Sequence, residues 1–66
     1  MKLHVNGEII ELSHSKTIKD TLEYLGFDNK PVVVELNERA IFPRDYAETV
    51  LYDGDRLEIV TIAAGG

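Results

Sequence analysis

Histidines, clustered acids and hydroxyl residues are the side chains here that could do chemistry. The two histidines are His4 and His14, and there is no cysteine. Neither histidine stands at ligand spacing from other donors, so neither reads as a metal ligand. Both read as exposed polar residues. Asp53, Asp55 and Glu58 resemble a fragment of a calcium loop, but the spacing of an EF-hand is absent. A turn joining two strands is the better reading. Ser13 and Ser15 flank His14, yet neighbours in sequence do not make a triad. They read as a polar loop leading into a helix. No glycine-rich loop ends in Gly-Lys-Ser or Gly-Lys-Thr, so no phosphate cradle is expected. The chain shows no convincing catalytic set, and neither a metal nor a bound cofactor is expected.

The other chemical group is the chain end, Ala63-Ala64-Gly65-Gly66. It has two readings. One is a frayed terminus, where disorder normally collects. The other is a probe for narrow sites. Its residues are small, and its one charge is the terminal carboxylate. Four extended residues reach about 13–14 Å. Glycine has no Cβ, so Gly65 and Gly66 fit a channel that excludes other side chains. Such a tail can deliver a carboxylate into another protein's active site while the body stays outside.

Composition bounds the body. Sixty-six residues allow one small domain with a thin core and little room for a deep pocket. The chain is 44% hydrophobic and 29% charged, which is globular rather than disordered. Seven basic against twelve acidic residues give a net charge of −5. Phosphate backbones need a positive surface, so nucleic acid is not an expected partner, and steering favours a basic one. Nothing approaches a membrane span, and Met1-Lys2-Leu3-His4 lacks the apolar run of a signal peptide. No membrane partner is expected. The absence of cysteine allows a cytoplasmic location.

The elements that must position the tail can be read in order. Asn6-Gly7 is a two-residue hairpin loop of the kind that needs positive φ twice. It pairs Lys2–Val5 with Glu8–Leu12 and puts Leu3, Val5, Ile10 and Leu12 on one apolar face. Thr17 with Asp20 makes a capping box, and Ile18, Leu22 and Leu25 form an apolar stripe, which predicts a helix from Ile18 to Leu25. Gly26 ends it, with Phe27 folding back. Pro31 to Leu36 predicts a β-branched strand, Asn37-Glu38 a turn, and Ala40-Ile41-Phe42 a short strand stopped by Pro43. Arg44 to Leu51 reads as a loop with one helical turn. Asp53-Gly54-Asp55 is a turn, and Arg56 to Ile62 a last strand with Leu57 and Ile59 pointing inward. First and last strands should lie adjacent and parallel, with the helix as crossover. The expected fold is α+β, a β-grasp with a mixed sheet of four to five strands and one main helix on one face. Strand parity places Ile9, Val33, Val60 and Ile62 on the outward face, with Lys2, His4 and Arg39 nearby. A contiguous apolar patch there marks a docking surface, and scattered residues need no explanation.

A β-grasp of this length ending in Gly-Gly resembles the ubiquitin-like sulfur carriers, and within them the ThiS family. The resemblance covers the whole chain. Its most specific stretches are Pro43-Arg44, Leu51-Tyr52-Asp53-Gly54-Asp55-Arg56-Leu57-Glu58-Ile59-Val60 and Ala64-Gly65-Gly66. Val5-Asn6-Gly7-Glu8 and the helix from Thr17 to Leu25 also fit. The resemblance implies a body over residues 1–62 and a flexible tail over 63–66. It implies a recycled co-substrate rather than an enzyme. The Gly66 carboxylate would be adenylated by a ThiF-type enzyme using ATP and Mg²⁺. A cysteine-derived donor would convert it to a thiocarboxylate, and thiazole synthase of the ThiG type would take the sulfur for the thiazole of thiamine. Gly65, Ala64 and Ala63 would thread the tail, and Ile9, Val33, Val60 and Ile62 would dock. The sister family, the small subunit of molybdopterin synthase, shares fold and tail, and a plain β-grasp interaction module is a third possibility.

Overall fold

The computed structural model describes residues 1–13 and 16–62. His14, Ser15 and the tail Ala63–Gly66 lie outside the described residues. In chain order the elements are β1 (Lys2–Val5), β2 (Glu8–Glu11), α1 (Ile18–Leu25), β3 (Val32–Leu36), β4 (Arg39–Ile41), a 3₁₀ turn (Pro43–Asp45) and β5 (Arg56–Thr61). The five strands form one sheet in the order β2-β1-β5-β3-β4. Strands β1 and β5 run parallel, and the other pairs are antiparallel. This is the ubiquitin-like β-grasp, with α1 on one face of a five-stranded mixed sheet.

Local chemistry explains each element. Asn6 and Gly7 take φ of 50° and 83°, which closes the β1–β2 hairpin in two residues. At the start of α1 every early backbone donor has a partner. Ile18 N–H donates to the Thr49 carbonyl and Lys19 N–H to the Tyr46 carbonyl, both at 3.1 Å. Asp20 N–H donates to Thr17 Oγ1 at 3.2 Å, and Thr17 N–H donates to Asp20 Oδ2 at 3.1 Å, completing the capping box. The segment read as a loop after Pro43 therefore serves as the lid of the helix start, and Thr17 bridges Val50. At the far end Gly26, at φ 84°, donates to Glu23, and Phe27 N–H donates to the Leu22 carbonyl at 2.8 Å, a Schellman closure.

The core lies between α1 and the sheet. Leu3, Val5, Leu12, Ile18, Leu22, Val34, Leu51, Leu57 and Ile59 are buried, and Ile10, Leu25 and Ile41 pack partly against them. Thr21 is also fully buried, a position the apolar stripe does not mark. Its hydroxyl donates to the Thr17 carbonyl one turn back at 3.0 Å, which lets a polar residue sit in an apolar layer.

Strand β5 outruns β1. The parallel ladder pairs His4 with Arg56 and Val5 with Leu57. Beyond that the Asn6 side chain takes over. Ile59 N–H donates to Asn6 Oδ1 at 2.7 Å, and Asn6 Nδ2 donates to the Ile59 carbonyl at 3.1 Å. Asn6→Ala removes both bonds and leaves a β-carbon residue at positive φ without the asparagine's tolerance for it. We expect a loss of about 2–3 kcal/mol. Asn6→Gly, which relieves only the backbone, should lose less. Urea unfolding of the two variants checks the order.

Asp20 is held below the usual carboxylate value because the backbone N–H groups of Lys16 and Thr17 donate to it. A depressed carboxylate stabilises the fold above its unfolded pKa of about 3.9 and stops doing so as pH falls through the lower folded value. Asp20→Asn should flatten this part of the acid limb in a pH series of thermal melts.

Candidate functional site

The face of the sheet away from α1 is where sequence parity placed a docking surface. Antiparallel partners that stand directly opposite share a face. Val33 stands opposite Val60, and Glu35 opposite Glu58. His4 stands between Ile9 on β2 and Arg56 on β5. Ile9, Val33, Val60 and Ile62 expose 67, 44, 59 and 48% of their surface.

These four residues do not form one patch. Val33 and Val60 are direct neighbours. Ile62 lies two residues beyond Val60 and stays tied to the sheet, with its N–H donating to the Pro31 carbonyl at 2.9 Å. Extending the β3–β4 register by one residue from Val34 opposite Ile41 sets Phe42 beside Val33. Phe42 is 58% exposed, and the Arg44 guanidinium lies 5.0 Å from its ring centroid. Phe42 belongs to the apolar band and went unnoticed in the sequence because Pro43 marks it as a strand end rather than a face. Ile9 sits apart, on the same face but level with His4 and Arg56. Arg39 is corrected to the other side: it stands opposite Leu36, which stands opposite the buried Leu57. The shared-face rule therefore puts Arg39 at the sheet edge on the helix side.

The face is thus banded along β5. Nearest the tail come Ile62, Val60, Val33 and Phe42. Next is Glu58 with Glu35. Last come Arg56, His4 and Ile9. Successive members of β5 on one face are about 7 Å apart. The apolar band lies at the root of the tail. Gly66, Gly65, Ala64 and Ala63, the residues that the reading makes reactive and threading, fall outside the described residues.

The acids read as a calcium fragment hold the backbone instead. Asp53 Oδ1 accepts from Lys2 N–H at 2.7 Å, and Asp55 Oδ2 accepts from Tyr52 N–H at 2.8 Å. Among the described residues no three donors converge on a metal position, and no helix is long and apolar enough to cross a membrane. On the helix side a cleft of about 350 Å³ opens between Leu22, Phe27, Lys30, Val32 and Tyr46. The Tyr46 hydroxyl is buried without a partner, and burial raises its pKa. Lys19, Glu23 and Asp28 also line it.

Comparison with known proteins places these features. The model of the ThiS family matches residues 3–66. The sulfur carrier protein ThiS of Thermus thermophilus is 40% identical over 62 residues, covering 94% of this chain and 95% of that protein. The thiazole synthase of Paramagnetospirillum magneticum is 42% identical over 66 residues, and the chain, matched in full, spans 20% of that protein's length. The crystal structure of the thiamine biosynthesis protein ThiS from Geobacter metallireducens superposes with a TM-score of 0.84 at 28% identity, with both chains fully covered.

The two faces of the sheet should respond oppositely to substitution. Val60→Asp, on the exposed side, is expected to cost under about 1 kcal/mol. Leu57→Ala, buried under α1, should cost about 3 kcal/mol. Equilibrium unfolding in urea distinguishes them.

Proposed function

The chain belongs to the ThiS family, and from that membership we propose that it is a sulfur carrier of thiamine biosynthesis, working as a recycled co-substrate in the cytoplasm. The observation that carries the reading is the match to that family, which runs through Gly65 and Gly66. The chain has no cysteine. Sulfur that it carries must then sit on a carboxyl group, and Gly66 supplies one.

An ionised carboxylate resists nucleophiles, since its reference pKa of about 3.3–3.7 keeps it charged near neutral pH. Activation therefore comes from a partner. A ThiF-type adenylyltransferase uses ATP and Mg²⁺ to form an acyl-adenylate at Gly66 and releases pyrophosphate. A cysteine-derived sulfur donor at the oxidation level of sulfide attacks the acyl carbon, expels AMP and leaves a thiocarboxylate; a persulfide donor needs a thiol reductant to cleave the resulting S–S bond. Thiazole synthase of the ThiG type accepts that sulfur. Two curated thiazole synthases resemble this chain along 20% of their own length, which supports carrier and acceptor as working neighbours.

The body docks while the tail threads. Val60, Val33 and Ile62, joined by Phe42, press on the adenylyltransferase at the root of the tail. Ala63, Ala64 and Gly65 lead Gly66 into the active site. Ile9 contributes at the far end of the same face.

Intact mass spectrometry tests this directly. After incubation with a ThiF-type adenylyltransferase, Mg-ATP and a cysteine-derived sulfur source, the chain should gain one sulfur for one oxygen at its C-terminus. Removal of Gly66 should leave the circular dichroism unchanged and abolish the gain. An unchanged mass in the intact chain, or a gain in the truncated one, overturns the proposal.

A further inference from the structure

The asparagine–glycine pair that closes the β1–β2 hairpin has a reactivity that its role as a turn does not use. A peptide nitrogen can attack the side-chain amide carbon of an asparagine that precedes it, and the attack is least hindered where the following residue has no Cβ. The chain has three asparagines, and only Asn6 precedes a glycine; Asn29 precedes Lys30 and Asn37 precedes Glu38. Asn6 and Gly7 are both exposed, and nothing lies within 4 Å of the place a Gly7 Cβ would take. Water therefore reaches the pair.

The closed hairpin nevertheless withholds the amide. Asn6 Oδ1 accepts from Ile59 N–H at 2.7 Å, and Asn6 Nδ2 donates to the Ile59 carbonyl at 3.1 Å. The Asn6 backbone N–H donates to the Leu57 carbonyl at 2.9 Å. These bonds hold the amide towards β5, whereas ring closure needs Cγ turned back over the Gly7 nitrogen. Reaction waits for a local opening of the contact between the hairpin and β5.

We propose that Asn6 is a deamidation site gated by its own contacts to β5, and that the product cannot restore those contacts. The Gly7 nitrogen forms a bond to Asn6 Cγ, and Nδ2 leaves as ammonia with the Gly7 proton. Water then opens the five-membered imide at either of its two carbonyls. One route gives aspartate. A carboxylate oxygen then stands where Nδ2 donated to the Ile59 carbonyl, so one bond is lost and two acceptors face each other. The other route gives isoaspartate, whose main chain is one methylene longer. The two-residue loop sets Leu3 against Ile10 and Val5 against Glu8, so an added backbone atom disturbs that register. Either product loosens β5 at Ile59, three residues before the root of the tail at Ile62. The inference does not depend on sulfur transfer.

The test follows the full chain in mildly alkaline buffer, folded in one series and unfolded in guanidinium chloride in the other. Intact mass and peptide mapping should show a gain of about 1 Da located at Asn6. The gain should be at least about tenfold faster in the unfolded series. Isomerisation at Asp53-Gly54 leaves the mass unchanged, so the gain reads asparagine alone. The deamidated fraction, separated by ion exchange and returned to buffer without denaturant, should melt about 5–10 °C below the unmodified chain, as should Asn6→Asp. The rate comparison uses the unmodified chain and stands whether or not that variant folds. Equal rates in the two series overturn the gate. A gain located at Asn29 or Asn37 in place of Asn6, or no gain in the unfolded series, overturns the site. A deamidated fraction that melts with the unmodified chain overturns the effect on β5.

Discussion

Strand β5 is paired by β3 from Leu57 to Thr61 on one edge, but β1 meets only its first two residues on the other. Two asparagines complete the ladders. At the start of the strand, the Asn37 backbone N–H donates to the Arg56 carbonyl at 2.8 Å while Arg56 N–H donates to the Asn37 side chain at Oδ1, 3.0 Å away. Further along and on the opposite edge, Asn6 makes both bonds to Ile59 with its side-chain amide. Both asparagines sit in two-residue turns at φ 50°. An amide side chain carries one acceptor and one donor group, as a peptide does, so it can stand in for a missing strand residue. Asparagine also tolerates the left-handed region better than most residues. One residue type thus closes a hairpin and extends a ladder. The core residues Leu57 and Ile59, the exposed Glu58 and Val60, and the root of the tail are all placed by that strand.

Much of this layout was legible in the chain. Asn6-Gly7, the Thr17–Asp20 capping box and Gly26 are local signals whose geometry depends on few neighbours, and the helix runs from Ile18 to Leu25 as the spacing predicts. Parity correctly separates Leu57 and Ile59 from Glu58 and Val60 because alternation along a strand is a backbone property. What the chain hid depends on register between strands. Parity says that Ile9 and Val60 share a face but not that His4 and Arg56 lie between them. It could not bring Phe42 beside Val33 or put Arg39 opposite Leu36. The role of the segment after Pro43 was hidden for the same reason: its carbonyls at Tyr46 and Thr49 cover a helix start far away in sequence. The tail, which carries the chemistry of the proposed function, could be read only as composition and family likeness.

The size of the domain constrains what kind of function it can host. Among the described residues of this 66-residue chain, nine buried apolar side chains fill a single layer between α1 and the sheet. That layer is thin, and the cleft beside it opens at the surface between Leu22, Phe27, Lys30, Val32 and Tyr46. The proposed role asks the body to present a group. Presentation asks for a rigid root, an unhindered end and a recognisable face. The first is supplied by β5 and its asparagines, and the last by the banded outward surface.

The acidic residues show how the same charge serves opposite purposes depending on its neighbours. Asp20, Asp53 and Asp55 each accept from backbone N–H groups, and each fixes a turn or a helix end. Glu35 and Glu58 stand opposite each other on an exposed face instead. A charge at the surface stays hydrated and contributes little by itself. The acids that shape this fold are therefore those that meet backbone donors, and each of them stands at a helix start or in a turn, where strand and helix ends leave N–H groups without partners.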